Sequence, residues 1–572
     1  MTDLLDGLAA WWPWSVESDS ELDRALAYLG AGVDGTVLER AARVVAVSVV
    51  GVGLVAGVVA ALGTTVRVGV AVGATIAAVG FGAPLLARHG PPFLETMART
   101  RALGSAASLV GRAALRLRID PTVERAAAFA ADTGTGALAR SLNAHVERAT
   151  GTPRSGFEGF AAEWGDEFPA LERSVARLHD AASVPPAERD RQLDRAVEAA
   201  LDGAREELAS FTSDIRGAVT GLYAFGVLLP LALVSVLPAA RATGVRLSLP
   251  LLALLYDLAL PVGVAVTSAW LLARRPVAFP PPRIGRTHPD VPSSRLRAVA
   301  AGVVVGCGSG VAAASLIGAW AAPVAAVGLG VGTALVVDAR APKRVRERVE
   351  AVESELHDAC HLVGRRVAAG EAVETAVADA AARVPGETGA LLGDVARRQR
   401  RLGVTVETAC TGAGGALTTV PSRRLREMAR LFDLAATEGE PAGDALVVTA
   451  THIEELERVE RTARRELSRL TDTLSNTAAI FGPVVGGTTV ALSARVAQAG
   501  AATRFGAGAL PTAELGLVIG AYVLWLAVAL TVLSTGLTRG LDRTLVAHRV
   551  GVALLLATVC YLAAYVGAGL FL

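Results

Sequence analysis

Uncharged, mostly apolar stretches of about twenty residues recur along the chain, near 44–62, 68–87, 218–238, 249–273, 298–318, 320–338, 476–495, 512–536 and 550–571. Coiled as α-helices, each is long enough to cross roughly 30 Å of hydrocarbon. Strands of an outer-membrane barrel would instead alternate in short segments, which this pattern lacks. Two long polar segments, about 88–217 and about 339–475, interrupt the apolar ones and are of domain size. Both carry helical periodicity. Leu193, Val197, Leu201, Ala204, Leu208, Phe211 and Ile215 recur at three- and four-residue spacings in the first, as do Leu456, Val459, Ala463, Leu467, Leu470 and Leu474 in the second. Each set predicts one apolar stripe on an amphipathic helix whose other faces are rich in Arg and Glu. Each stripe also runs into a following apolar stretch with no proline or glycine pair between, which predicts a stiff rod leaving a polar bundle for the bilayer. The pattern therefore predicts an all-α polytopic membrane protein with about nine transmembrane helices and two helical-bundle domains.

The resulting division is a tail at 1–43, a transmembrane pair at 44–87 and a first helical domain at 88–217. A second transmembrane pair follows at 218–273, then a linker at 274–297 and a third pair at 298–338. The second helical domain occupies 339–475, and three transmembrane helices fill 476–571. Basic residues in short loops mark the cytoplasmic side. The 274–297 linker holds Arg274, Arg275, Arg283, Arg286, Arg295 and Arg297, and the 537–549 loop holds Arg539, Arg543 and Arg549. Arg40 and Arg43 precede the first span, and Arg340 to Arg348 follow the sixth. Loops on the other side carry less: Arg67, Arg241, Arg246 and Arg504. A cytoplasmic N-terminus, an external C-terminus and two cytoplasmic domains satisfy the rule. The acidic start, Met1-Thr2-Asp3, lacks the basic and then apolar pattern of a cleavable signal.

The halves resemble each other. Leu109-Val110-Gly111-Arg112 matches Leu362-Val363-Gly364-Arg365, and Thr135-Gly136-Ala137-Leu138 matches Thr388-Gly389-Ala390-Leu391 at the same offset. Phe225-Gly226 and Phe481-Gly482 both lie near the start of a span. A stretch holding Pro276, Pro280, Pro281, Pro282, Pro289 and Pro292 separates the halves as a semi-rigid spacer. The chain is read as an internal duplication.

Composition narrows the chemistry. The chain is 52% hydrophobic and 19% charged, with mean hydropathy +0.46, whereas soluble domains carry about a quarter charged residues. Lys343 is the single lysine, set in Ala341-Pro342-Lys343-Arg344. A phosphate-binding G-x-x-x-x-G-K-[ST] loop is thereby excluded, and a lysine Schiff base nearly so, with Lys343 alone to form it. Cys307, Cys360, Cys410 and Cys560 show no C-x-x-C spacing, so neither a disulfide framework nor a zinc site is expected.

Each local motif has a structural reading beside its chemical one. His357-Asp358-Ala359-Cys360-His361 spaces two histidines for zinc, but without a third ligand a polar helix face is preferred. Asp132-Thr133-Gly134 has an aspartic protease's local pattern in one copy, whereas the chemistry needs two, so a turn is expected. The glycines of Gly306-Cys307-Gly308-Ser309-Gly310 and Gly328-Leu329-Gly330-Val331-Gly332 lie in spans and predict close helix packing rather than a dinucleotide turn. Asp257 lies within the fourth span, where a carboxylate is a functional candidate. A local interhelical hydrogen bond is favoured for it over an ion relay, which would need partners in other spans. Trp11, Trp12 and Trp14 suit either the membrane interface or a domain surface. Phe157, Phe160, Trp164 and Phe168 read as buried helix faces. No basic, aromatic-interleaved stripe suggests nucleic acid, and no catalytic residue, cofactor or metal site is expected.

One further stretch completes the picture. Glu438-Gly439-Glu440-Pro441-Ala442-Gly443-Asp444-Ala445-Leu446 follows the apolar run Leu431 to Ala436 and precedes a long charged helix and a span. In its order of features it resembles the type II secretion system F domain, with its GE-x-x-G-x-L stretch. Gly370-Glu371-Ala372-Val373-Glu374-Thr375-Ala376 is similar to that family's earlier G-x-x-x-x-x-A feature. The first domain departs: Arg118-Ile119-Asp120-Pro121 replaces the glycine turn and no GE-x-x-G follows. The resemblance spans roughly 90–240 and 345–495. Two domains and nine spans look more like the archaeal platform proteins of type IV pili and archaella. It implies a non-enzymatic membrane platform whose partners are a hexameric cytoplasmic secretion ATPase, prepilin or pilin subunits, the lipid bilayer and, in a homodimer, a second copy. Gly370, Glu371, Glu438, Gly439, Glu440, Gly443 and Asp444 then serve either domain packing or the ATPase contact; equally, Gly439 and Gly443 allow a tight turn. The alternative is a secondary transporter, which also uses repeats.

Overall fold

The computed structural model describes residues 2–16, 19–63, 66–134, 136–152, 155–242, 249–275, 284, 286, 288–501 and 512–571, with side chains except at 2–4, 59–63, 66–79, 101, 237–242, 249, 250, 499–501 and 571. It is 86% helical, with no strand among the described residues. Eight helices among the described residues are long and apolar enough to cross a membrane, and the chain is a multi-pass, all-helical membrane protein. The stretch 68–87, expected as a further span, lies on a helix, but its side chains at 68–79 fall outside the described residues. Thr135 of the repeat, residues 276–283 of the linker and the loop arginines Arg246 and Arg504 also lie outside them, as do the side chains of Arg67 and Arg241.

Helices α1 (Thr2–Ala9) and α2 (Ser20–Leu29) lead into the long pair α3 (Gly35–Gly63) and α4 (Val66–Leu103). Gly80 lets α4 come close to the Ala46 carbonyl of α3: an added Cβ would lie 3.0 Å from it. α4 continues past Pro84, Pro91 and Pro92 into the polar segment.

The first polar bundle comprises α5 (Ala106–Ile119), α6 (Val123–Thr133), α7 (Ala137–Ala149), α8 (Phe157–Trp164), α9 (Pro169–Ser183) and α10 (Pro186–Tyr223). Leu109, Val110, Leu138, Phe160, Trp164, Leu193 and Val197 form its core, as apolar stripes of amphipathic helices must when water surrounds the opposite faces. Trp164 is buried with its indole N–H donating to Ser141 Oγ at 2.9 Å.

From α10 the chain passes into the apolar layer through α11 (Leu229–Ala242), α12 (Leu249–Ala253), α13 (Leu260–Ala273) and α14 (Leu296–Leu316). α15 (Ala321–Glu353) returns and feeds the second bundle. That bundle contains α16 (Leu356–Ala368), α17 (Val373–Arg383), α18 (Gly386–Leu402), α19 (Val406–Thr411), α20 (Ala416–Thr419), α21 (Arg423–Glu438) and α22 (Glu440–Asn476). Val363, Val377, Leu392, Leu425, Phe432 and Leu446 lie in its separate core. α23 (Gly482–Ala501), α24 (Thr512–Arg539) and α25 (Arg543–Phe571) complete the membrane part.

Inside the apolar layer water cannot drive helices together, so close van der Waals approach must. α14 and α15 interlock through glycines. A Cβ on Gly302 would lie 2.7 Å from the Gly330 carbonyl, and one on Gly306 would lie 2.9 Å from the Ala326 carbonyl. On the other side of α15, a Cβ on Gly332 would meet the Gly551 carbonyl of α25 at 3.0 Å. The glycine runs are helix-packing surfaces. At the polar boundary, Arg346 of α15 is buried and ion-paired with Asp542, whose other oxygen caps α25 by accepting from Thr544 N at 2.7 Å and Leu545 N at 3.2 Å. The linker is held here too: Arg286 pairs with Asp338 at 2.9 Å, and His288 meets the Thr419 carbonyl at 3.1 Å.

Replacing Gly306 by leucine should force α14 off α15 and cost about 1–3 kcal/mol, read as a lower melting midpoint of the detergent-solubilised protein. Gly308→Leu, with nothing within 4 Å of its added Cβ, should leave the midpoint within error. Equal effects would contradict the packing role.

Candidate functional site

Among the described residues three apolar helices change their hydrogen-bond register, and each does so immediately before a proline. The segments Ala224–Leu228, Leu254–Ala259 and Thr477–Phe481 are π-helical. The N–H groups of Leu229, Leu260 and Gly482 reach back five residues, to the carbonyls of Ala224, Leu255 and Thr477. Pro230, Pro261 and Pro483 come next. A proline in a helix offers no N–H and crowds the carbonyl four residues earlier, so the preceding turn widens into a π turn. The first and third of these turns occupy equivalent places in the two halves, at the offset that relates Leu109 to Leu362. They lie where α10 and α22 pass from their polar bundles into α11 and α23. The helical ladder continues through both turns without a break.

Hydroxyl groups gather at this level. The carbonyl of Gly226, four residues before Pro230, accepts from the Tyr522 hydroxyl of α24 at 2.9 Å. The Tyr256 hydroxyl donates to the Pro230 carbonyl at 2.7 Å, and the Tyr256 and Tyr522 rings meet edge to face with centroids 5.2 Å apart. Thr477 Oγ1 donates to the Tyr223 hydroxyl at 3.4 Å, which ties the two rods directly to each other. Backbone acceptors exposed by proline in an apolar layer need a new donor; tyrosines supply one and bury a large ring with it. The sequence carried the signal as three prolines inside apolar stretches, but the partners come from far along the chain.

The glycine- and acid-rich stretch at 438–446 divides into two kinds of residue. Gly439 adopts φ +73 between α21 and α22, a conformation that favours glycine. Gly443 lies where α22 crosses α16: an added Cβ would collide with the Ala368 amide. Gly364, one of the repeat glycines, completes the crossing, since its Cβ would meet Val447 N at 2.9 Å and the Gly443 carbonyl at 3.0 Å. Gly370 has φ +85 beyond the end of α16, and Glu371 pairs with Arg366 at 2.5 Å. Glu438 reaches the other bundle and pairs with Arg116 at 2.7 Å. Glu440, in the first turn of α22, and Asp444, one turn further on, are exposed.

Glu438 belongs to a seam between the two bundles. Arg112 pairs with Glu427 at 3.0 Å, Arg205 with Glu455 at 2.5 Å, and Arg430 donates to the Asp132 carbonyl at 2.9 Å. Leu115 of the first bundle enters the second core, and Leu456 packs on the first. Asp132-Thr133-Gly134 is thus the end of α6 at that seam. Sequence reasoning missed Arg112 and Arg116; their four-residue spacing on α5 was the available signal. A second polar node lies within the second bundle, where Arg424 reaches Glu457 at 3.1 Å and Glu460 at 2.9 Å. Burial works against the Arg424 charge, but Glu460, Glu353 and Glu457 outweigh it and raise its pKa.

The remaining candidates are dispersed. Cys360 is fully buried and its thiol contacts the Leu446 carbonyl at 3.7 Å, while His357 faces Glu457 at 3.7 Å. Among the described residues no three His, Cys, Asp or Glu side chains are placed to hold a metal ion. Burial pushes the Cys410 thiol up to about 12. Trp12 stacks edge to face with Trp14 at 4.9 Å and lies 6.0 Å below the Arg43 guanidinium, whereas Trp11 is exposed. Asp257 is exposed at the edge of its π turn, next to the buried Tyr256, and the interhelical hydrogen bond favoured for it does not form among the described residues.

Tyr522→Phe should lower stability by about 1 kcal/mol, measured by thermal unfolding in detergent. Pro230→Ala restores an N–H to the helix, so the loss from Tyr522→Phe should shrink in that background. The same loss in both would separate the hydroxyl from the proline-freed carbonyl. Compared with known proteins, the chain matches no family model, no curated protein and no solved structure.

Proposed function

We propose that the chain is a non-enzymatic platform of the cell membrane, belonging with type IV pilus, archaellum and type II secretion assembly machines. In this reading it couples a hexameric cytoplasmic secretion ATPase to the insertion of pilin subunits into a filament. The observation that carries it is the continuity of α10 and α22. Each leaves a water-soluble bundle and enters the apolar layer as one helical rod, and the rods meet at Tyr223 and Thr477. Force applied to a bundle thus has a stiff route to the spans. The seam made by Arg112, Arg116, Arg205 and Arg430 joins the bundles, so they can respond as a pair. The N-terminus and both bundles are assigned to the cytoplasm, and the C-terminus to the outside, by the distribution of arginines in short loops.

The placement of the acid-rich stretch refines the partner contact. Gly439, Gly443 and Gly370 serve the turns and helix crossing, and Glu371 and Glu438 are engaged by arginines of this chain. Glu440 and Asp444 are exposed near the seam and are the residues assigned to the ATPase. A secondary transporter would place ionisable groups toward a central cavity; Asp257 instead lies on an exposed face.

Affinity purification of the tagged protein from native membranes should recover a secretion-type ATPase and prepilin-like proteins. The double variant Glu440→Ala/Asp444→Ala should lower ATPase recovery about tenfold, equivalent to ~1.4 kcal/mol of affinity, while eluting as the same folded species. Absence of both partners, with substrate-dependent ion flux in liposomes, would overturn the platform in favour of the transporter.

A further inference from the structure

The exposed apolar side of α25 ends among basic residues. Val552, Leu556, Val559 and Val566 are exposed, and their four-, three- and seven-residue spacing sets them along one side of a regular α-helix. His548 and Arg549 lie one turn before Val552 and flank that side, while Leu545, a further turn back, is buried. The apolar face therefore opens where these two residues stand. α15 runs antiparallel beside α25: a Cβ on Gly551 would lie 3.0 Å from the Val336 amide nitrogen, and Arg346 pairs with Asp542. Arg340 and Lys343 fall between those two contacts, beside the first turns of α25. The charges that bear on His548 are Lys343, Glu347 and Arg340 of α15 and Arg549 of its own helix. Those that bear on Arg549 are Arg539 of α24, Asp472 of α22 and the buried Arg346.

Positive charge is in excess here. Glu347 is taken by Lys343 at 3.4 Å, and Arg346 is satisfied by Asp542 and Glu350. Among the described residues no hydrogen bond or ion pair engages the side chains of Arg340, Arg539 or Arg549. Arg549 is half-buried with two arginines bearing on it, an unfavourable arrangement until a further anion joins it. Where apolar helix surface gives way to arginine, the anion that the bilayer itself holds in place is a lipid phosphate, and guanidinium groups grip phosphate oxygens with paired hydrogen bonds. We infer that this end of α25 binds an anionic phospholipid, with its phosphate among Arg340, Lys343 and Arg549 and an acyl chain along Val552, Leu556 and Val559. The apolar face separates this ligand from a free anion, which has nothing to lay on it. A zwitterionic lipid brings its own cation to the arginines and gains less. The binding holds whether or not the chain works as an assembly platform.

The test uses the full-length protein with a photo-cross-linking benzoylphenylalanine in place of Leu556, which lies about 10 Å beyond Arg549 at 1.5 Å per residue. Phosphatidylcholine nanodiscs hold a minor share of phosphatidylglycerol with the same chains, and mass spectrometry identifies the captured lipid. Phosphatidylglycerol should be captured about tenfold above its share. Arg340→Gln and Arg549→Gln should each lower that enrichment, and the double variant should abolish it. Arg216→Gln removes an exposed arginine where α10 approaches its span and should leave the enrichment unchanged. Capture at the bulk ratio by the unaltered protein would overturn the inference, as would enrichment that survives the double variant. An equal loss in Arg216→Gln would also overturn it, by assigning the effect to overall surface charge. So would displacement by free inorganic phosphate at constant ionic strength, because the ligand would then be a soluble anion.

Discussion

An unbroken helical backbone crossing from water into hydrocarbon is the constraint on which the rest of the molecule depends. In the apolar layer every backbone N–H and C=O must be satisfied within the protein. α10 and α22 meet this demand by never leaving the helical ladder, even where a proline follows. The ladder shifts to a five-residue reach for one turn before Pro230 and Pro483 and then resumes. The consequence is mechanical, because a polar bundle cannot tilt without its span responding at the π turn. Around the first of these turns the freed Gly226 carbonyl is taken by Tyr522, so α24 is fastened where α10 gives way to α11.

Two packing regimes meet at this boundary. The polar bundles are held by the burial of ordinary apolar side chains, with Phe160 and Trp164 in one and Phe432 in the other. The membrane part uses backbone proximity instead, with Gly302, Gly306 and Gly330 bringing α14 onto α15. α15 belongs to both, since its upper half packs through glycine and its lower half supplies Val349 and Val352 to the second core. The buried Arg346–Asp542 pair lies between these regimes and fixes the α24–α25 connection to the second bundle. A buried pair of this kind gives little net stability but is costly to break, which suits a joint whose geometry must not slip.

Much of the architecture was legible along the chain, because hydrophobic runs and three-to-four spacing are local signals. The stripe from Leu193 to Ile215 is the buried face of α10, and the Leu109 and Leu362 repeats lie on corresponding helices α5 and α16. What could not be read were relations between distant segments. The residues Glu438, Glu440 and Asp444 form one motif in sequence, yet Glu438 is drawn across to Arg116 while the others face outward. The direction of Asp257 was equally hidden, since a span that is apolar all round has no periodicity to reveal its inner face. Pro230, Pro261 and Pro483 were visible, but a proline alone does not tell whether a helix ends, kinks or widens; the surrounding helices decide that.

The continuity of the rods is measurable directly. Spin labels at Arg458 on α22 and Leu492 on α23, in a protein with its native cysteines replaced, bracket the π turn at Thr477–Phe481. Along one helix they lie roughly 50 Å apart at 1.5 Å per residue. Pulsed dipolar spectroscopy in nanodiscs should give a single narrow distance distribution near that value. A broad or two-peaked distribution, with the bundle swinging freely about the π turn, would contradict the account that each polar domain and its span are joined by one stiff helix.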